Sequence, residues 1–312
     1  MTVPSTPKIE ARLSLAERIL VGGLLVPGYS RVPRLLRFLR PVLVRTIWAL
    51  TPNIRLALRR NAAVLLGNRP TREEQRRFGL AVLEEIQRFT DELVQGSKRE
   101  NEHSGPDVIC EGDVQSYFSR REQGNGMVIA TAHMGSFEAA ACILQDMEPS
   151  VHVLYARDPC KSMETLRSRL RKRLGVIEHA VDDGLETWTA LRDALANDET
   201  VALPADRVQP GQTGFEIEML GEKTMLPAGP FKLAMTSGAP LAPIFCWRDE
   251  TGRYRLWVGT PIEFKDGFTR NLSEHPGVKQ FVRDLERVLK LYPTQWMMVY
   301  EAWPQSSLRA AS

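Results

Sequence analysis

What this chain lacks narrows it first. No apolar run reaches the ~20 residues that a bilayer-spanning helix needs. The best candidate, ILVGGLLVP at 19–27, is short and bracketed by Arg18 and Arg31, so it reads as an interfacial or re-entrant piece. Cysteine is sparse: Cys110, Cys142, Cys160 and Cys246 are scattered, with no C-x-x-C and no Cys/His cluster. That removes zinc-ligand spacing and fits reduced thiols in a cytosol-facing protein. The N-terminus lacks the charged cap, apolar core and cleavage site of a secretory leader. Without G-x-S-x-G there is no serine-hydrolase elbow. Without G-x-x-x-x-G-K-S/T or a helix-opening G-x-G-x-x-G, a nucleotide enzyme is disfavoured. No internal repeat, low-complexity tract or flexible linker divides the chain.

What is present is a chain of 312 residues, 43% hydrophobic and 25% charged, ordinary for a globular protein with a large core. Its net charge of +3 is unevenly spread. Residues 1–60 carry eleven Lys/Arg against Glu10 and Glu17, a local +9 that leaves −6 for the remainder. Such asymmetry points to an anionic partner for the N-terminal part. In RVPRLLRFLRPVLVRTIWA at 31–49, arginines recur at 31, 34, 37, 40 and 45 among Leu35, Leu36, Phe38, Leu39, Leu43, Val44 and Trp48. A basic stripe beside an apolar one suits a membrane headgroup layer. Nucleic acid is disfavoured, since the arm has few aromatics and the chain carries no nucleic-acid-binding motif. The plainer alternative is a helical layer packed on the main domain with its arginines in water.

Residues 53–97 read as two helices, the second opening on a Thr71/Glu74 capping box. From about residue 108 strands and helices alternate, which predicts an α/β domain with a mixed central sheet and helices on both faces. The expected partition is an amphipathic arm at 1–50, one main domain at 51–304 and a disordered tail at 305–312. The stretch MVIATAHMGSFEAAA at 127–141 is the most informative. A buried strand runs into His133, and Glu138 follows in the first turn of a helix that Ser136 can cap. Residues five apart on one helix point ~140° apart, so His133 and Glu138 can meet only if His133 precedes the helix and the chain bends at Gly135. A general base with its orienting carboxylate is one reading; a strand-end histidine and a glutamate stabilised by a helix N-terminus is the other.

The strand, His133 and Glu138 match the H-x4-D/E motif, and HMGSFE resembles the bacterial lipid A biosynthesis acyltransferases of lauroyl/myristoyl type, whose relatives include mannoside-lipid acyltransferases. Four more blocks follow in order. Tyr155 and Arg157 resemble the family's arginine block, and a basic helix with Arg167, Arg169, Arg171, Lys172 and Arg173 comes next. VALPADR at 201–207 resembles the strand that ends in an acid, here Asp206. The 215–245 block resembles the family's Pro/Gly segment, helix and proline-containing strand, and YPTQWMMVYEAWP at 292–304 its P-x-QW ending. The departures are MLG at 219–221 in place of a double phenylalanine and glycine, Glu301 where a basic residue is common, and no long N-terminal spanning helix.

The resemblance implies an acyltransferase that moves a fatty acyl chain from an acyl carrier protein or coenzyme A thioester to a hydroxyl of a lipid acceptor. It implies a glycerolipid-acyltransferase-like fold and needs no metal or redox cofactor. His133 is expected as general base and Glu138 as the group that orients it, with N–H groups near Ser136 for the oxyanion. Arg157 is expected to bind a phosphate or other anion, with Arg207 sharing that site, and Asp206 to position the acceptor. Arg167–Arg173 is expected either to receive a carrier protein or headgroups or to be a solvated face. Gly229 is expected to shape a turn by adopting positive φ. His103, His152, His179 and His275 are expected to be structural or exposed. The implied location is the cytoplasmic face of a bacterial inner membrane, peripheral or monotopic. A non-catalytic lipid-binding protein of the same fold is the alternative.

Overall fold

A computed structural model describes residues 25–67, 69–97, 107–158, 161–209, 212–264, 269 and 271–304; of residues 25–27, 137, 138 and 162 the backbone alone is described. The expected tail at 305–312, residues 1–24 of the arm, His103, Cys160 and the side chain of Glu138 lie outside the described residues.

Among the described residues four helices come first: α1 (Leu25–Arg31), α2 (Pro33–Leu50), α3 (Pro52–Leu65) and α4 (Arg72–Gly96). Thr71 caps α4 through the expected reciprocal box with Glu74. Helix α2 buries Val44, Ile47 and Trp48, and Trp48 packs so close to Gly79 of α4 that a Cβ there would lie 2.1 Å from its ring. Its outer face leaves Leu35, Phe38, Val42 and Leu50 exposed, with Phe38 81% accessible. The arm is therefore helical over its described part, with one face built into the core and an apolar stripe left uncovered. No helix among the described residues is long and apolar enough to cross a membrane.

The alternation expected beyond residue 108 is present. It runs β1 (Val108–Gly112), α5 (Val114–Arg121), β2 (Met127–Thr131), α6 (Phe137–Met147), β3 (Val151–Tyr155), α7 (Lys161–Arg173), β4 (Ile177–Ala180), α8 (Leu185–Ala196) and β5 (Thr200–Pro204). A hairpin of β6 (Gly214–Met219) and β7 (Glu222–Pro227) follows, then α9 (Gly229–Ser237), β8 (Leu241–Arg248), β9 (Tyr254–Val258) and α10 (Pro276–Leu291). Seven strands form one mixed sheet in the order β1-β9-β8-β2-β5-β3-β4. All neighbours are parallel except β8 and β9. Strand β9 is paired on both sides, since β1 covers its outer edge.

The central strands show why both faces are buried. Along β2, Val128 and Ala130 face the core under α8, α9 and α10, while Met127 and Ile129 face the core under α1–α4 and α6. Strand β8 divides the same way, with Phe245 and Trp247 on one side and Ile244 and Cys246 on the other. Period-two alternation of apolar residues on both faces is what a sheet between two helical layers requires.

Candidate active site

Strands β2 and β5 are parallel neighbours with Thr131 opposite Pro204. Each chain continues two residues past that pair, one to His133 and the other to Asp206, so the register alone delivers the two side chains together at the carboxyl ends of the strands. Side chains gather at this edge in open α/β sheets. The His133 Nδ1 lies 2.7 Å from Asp206 Oδ1, and the His133 backbone N–H donates to Oδ2 at 3.0 Å. The indole N–H of Trp296 donates to the same Oδ2 at 2.8 Å. The Asp206 carboxylate has no accessible surface, whereas 30% of the His133 side chain is open. Asp206 is thus the carboxylate on the imidazole among the described residues; the side chain of Glu138, expected to orient the ring, lies outside them.

The chain then turns sharply. Gly135 has φ +58, and a Cβ there would lie 2.2 Å from the Cys246 carbonyl oxygen and 2.6 Å from the Trp247 Cα. Both the left-handed backbone and the close approach to β8 require glycine. Ser136 caps α6, its hydroxyl accepting the Ala139 N–H at 3.3 Å, and Glu138 stands in the first turn of that helix. Residues 295–298 lie across the turn. Gly135 N–H donates to the Gln295 carbonyl at 3.2 Å and Met297 N–H to the His133 carbonyl at 2.9 Å.

The charges around His133 favour a neutral ring. Burial pushes its pKa below the ordinary value; the Arg207 charge, and more weakly that of Arg167, acts the same way, and Asp206 only partly opposes them. Burial would raise Asp206, but the His133 interactions, Arg207 and the Trp296 N–H outweigh it and hold the carboxyl well below the usual range. An ionised carboxylate on Nδ1 fixes the tautomer that carries its proton there and leaves the Nε2 lone pair free.

The remaining expected residues divide. Arg207 is beside the pair; its Nη1 donates weakly to the Met297 carbonyl at 3.4 Å, and its guanidinium stands 5.8 Å from the Tyr300 ring. Arg157 follows the end of β3. It is held at the exposed rim by Asp182 at 2.5 Å and Asp183 at 2.8 Å, carboxylates that follow β4. Asp158, its neighbour in sequence, pairs with Arg167 at 3.2 Å. Gly229 opens α9 without positive φ; glycine is needed there because a Cβ would lie 2.5 Å from the Trp188 ring. Arg171 is not a surface cation either. It is buried, ion-paired with Glu164 and Glu178, and stacked 4.0 Å from the Tyr155 ring.

Two residues of the site escaped the sequence reading. Arg167 looked like one cation of a basic helix, but burial and the nearby Arg207 and Arg171 charges push its pKa down, with Asp158 in partial opposition. Trp296 belonged to a recognised ending, yet nothing local ties it to Asp206 ninety residues earlier.

The fold and this site define a class: the chain belongs to the family of bacterial lipid A biosynthesis acyltransferases, whose family model matches residues 34–305. Among its curated relatives is the phosphatidylinositol mannoside acyltransferase of Mycolicibacterium smegmatis, 26% identical over 200 residues, which cover 63% of this chain and 62% of that protein. The protein of the same name from Mycobacterium tuberculosis is 26% identical over 182 residues, or 58% of this chain and 55% of that one. The match therefore spans somewhat under two thirds of these relatives' length.

Proposed function

We propose that this protein is an acyltransferase that moves a fatty acyl chain from an acyl carrier protein or coenzyme A thioester to a hydroxyl of a membrane lipid. The acceptor is a glycolipid or phospholipid, of the mannoside or lipid A precursor kind. The observation that carries the reading is the His133–Asp206 pair, set by the β2–β5 register at the open edge of the sheet.

A hydroxyl attacks a thioester poorly until its proton is removed, and a positioned base typically contributes 10²–10⁴-fold. In the proposed step, His133 Nε2 takes the acceptor proton as the oxygen attacks the thioester carbonyl. Asp206 keeps the other nitrogen protonated and stabilises the imidazolium that forms. The attack forms the C–O bond and a tetrahedral oxyanion; its collapse restores the carbonyl, breaks the C–S bond and returns the proton to the departing sulfur. N–H groups at the start of α6, near Ser136, receive the oxyanion. The anion-binding role read at Arg157 passes to Arg167 and Arg207, whose charges bear on His133 itself. Glu138, in the first turn of α6 and expected as the orienting carboxylate, remains a proposed site residue.

The exposed stripe of Leu35, Phe38, Val42 and Leu50, flanked by exposed Arg31, Arg34 and Arg45, supports peripheral attachment to an anionic membrane face. The decisive assay offers palmitoyl-coenzyme A and palmitoyl-acyl carrier protein to the full chain with mannosylated phosphatidylinositol or a lipid A precursor, and follows the product by mass spectrometry. An acylated lipid that is lost with His133→Ala supports the proposal. Transfer that survives the substitution sinks the mechanism, and binding without transfer returns the non-catalytic alternative.

A further inference from the structure

We infer that Trp296 is a positioning residue for the proposed dyad: its indole N–H fixes the plane of the Asp206 carboxylate so that Oδ1 meets His133 Nδ1. This rests on the base assignment above and goes beyond it by giving the P-x-QW ending a task.

The Asp206 side chain is enclosed and receives three donors, one on Oδ1 and two on Oδ2. Rotation of a carboxylate about its last bond is otherwise soft. The His133 peptide N–H and the Trp296 indole grip Oδ2 from two different segments, and together they orient Oδ1. Without the indole, Oδ2 keeps one donor and the carboxylate can turn.

The indole itself is firmly held. Trp296 is 1% exposed and packs edge-on against Trp303, with ring centroids 5.8 Å apart. Its neighbour Gln295 grips the end of β8, the amide oxygen accepting Arg248 N–H at 2.8 Å and the amide nitrogen donating to the Arg248 carbonyl at 2.6 Å. Beyond it, Asn61 of α3 donates to the Met298 and Tyr300 carbonyls at 3.2 and 2.7 Å and accepts from Ala302 N–H at 2.9 Å. The segment that presents the indole is thus pinned on both sides.

Buried tryptophan N–H groups generally find some acceptor, so satisfaction of a donor is the simpler explanation. Trp303 illustrates that ordinary case: its indole donates to the Met219 backbone carbonyl at 3.1 Å. Trp296 differs because its acceptor is the carboxylate bound to the base. The two tryptophans form a matched pair for experiment.

The test is a carbon-13 histidine NMR titration of the full chain, with the His133 signal assigned by its loss in His133→Ala. Trp296→Phe lets the carboxylate turn from Nδ1, so less of its charge reaches the imidazolium. The expected result is a downward shift of the His133 midpoint by about half a unit or more, with kcat reduced roughly tenfold and KM nearly unchanged; an upward shift overturns the inference. Trp303→Phe is expected to lower stability while leaving that midpoint in place. An unmoved midpoint in Trp296→Phe, or an equal shift in both variants, overturns the inference. Should Trp296→Phe not fold, the Trp296 indole proton in the unsubstituted protein is expected to change frequency as His133 titrates, and a signal that stays still overturns the inference equally. The titration needs no acceptor, so a shifted midpoint in a protein that transfers nothing would defeat the enzyme reading and leave this one standing.

Discussion

Strand β5 has a histidine and a carboxylate at each end, and the two pairs behave differently. Just before the strand, Glu199 Oε2 lies 2.9 Å from His152 Nε2, and His152 Nδ1 lies 2.8 Å from His179 Nε2. Just after it, Asp206 meets His133. At the first pair the imidazole is the enclosed partner, 9% exposed with both nitrogens engaged, while 31% of the Glu199 side chain is open. At the second the carboxylate is enclosed, 30% of the imidazole side chain is open, and the carboxylate engages Nδ1. A histidine beside a carboxylate is therefore not by itself a base. The ring must retain a free nitrogen, and its partner must be held so that it cannot turn away.

The contrast can be broken most sharply by truncating each ring. His133→Ala is expected to reduce acyl transfer by at least about 10³-fold in initial rate, whereas His152→Ala is expected to lower thermal stability and change the rate less than about twofold. A large rate loss in the second variant would remove the distinction. Neutralising the partners comes next. Asp206→Asn should cost roughly 10²–10⁴-fold in kcat, as loss of the tautomer-fixing acid does in comparable dyads, and Glu199→Gln should cost almost nothing. Glu138→Gln sharpens the assignment between carboxylates: the His133 midpoint is expected to move with Asp206→Asn and to stay with Glu138→Gln. The opposite pattern would restore Glu138 as the orienting group.

The pH dependence is a smaller effect of defined sign. Burial and Arg207 lower the folded-state pKa of His133, and burial and His152 lower that of His179. The unfolded chain then takes up protons first, near the ordinary histidine value of about 6.5. Stability is full above that value and falls as pH drops from there through the folded-state pKa values. Chemical denaturation at pH 7 and 5 should show the decline, with a shallower slope in His133→Ala. The same lowering places the acid limb of kcat/KM below about 6.5. The mildest expected effect lies far from both pairs. Phe38→Glu should weaken flotation with anionic vesicles while leaving the His133 titration unchanged; undiminished flotation would remove α2 from the membrane contact.

The parts of this molecule that were legible in sequence are those with local causes. The Thr71/Glu74 box, the Ser136 cap, the Gly135 bend and the strand–helix alternation each depend on residues a few positions apart. The His133–Asp206 contact depends on which strands are neighbours, and 73 residues separate its partners. A signal for it exists: Ala-His follows one buried strand and Ala-Asp follows another, at the same offset from their paired ends. Arg157 stood next to Asp158, but its partners Asp182 and Asp183 arrive from beyond β4 and occupy it at the rim. Gly229 illustrates a third kind of error, in which the need for glycine was recognised but its cause was a tryptophan from α8 rather than the backbone angle. Glu301, a departure from the resembling pattern, meets Arg60 at 2.7 Å, so its charge is matched by α3.

The clasp between Asn61 and residues 298–302 sets an order of completion. A chain emerging from the ribosome carries its base once residue 133 has appeared and the carboxylate seventy-odd residues later. The partners of Asn61 at residues 298–302 are by then still to be made. Only when residues 296–302 have emerged can that stretch fold back over the sheet edge, close on Asn61 and present an indole to the acid. Competence to react would then wait on residues 296–302, and a chain that stopped short of residue 296 would hold both reacting groups without the indole on Asp206.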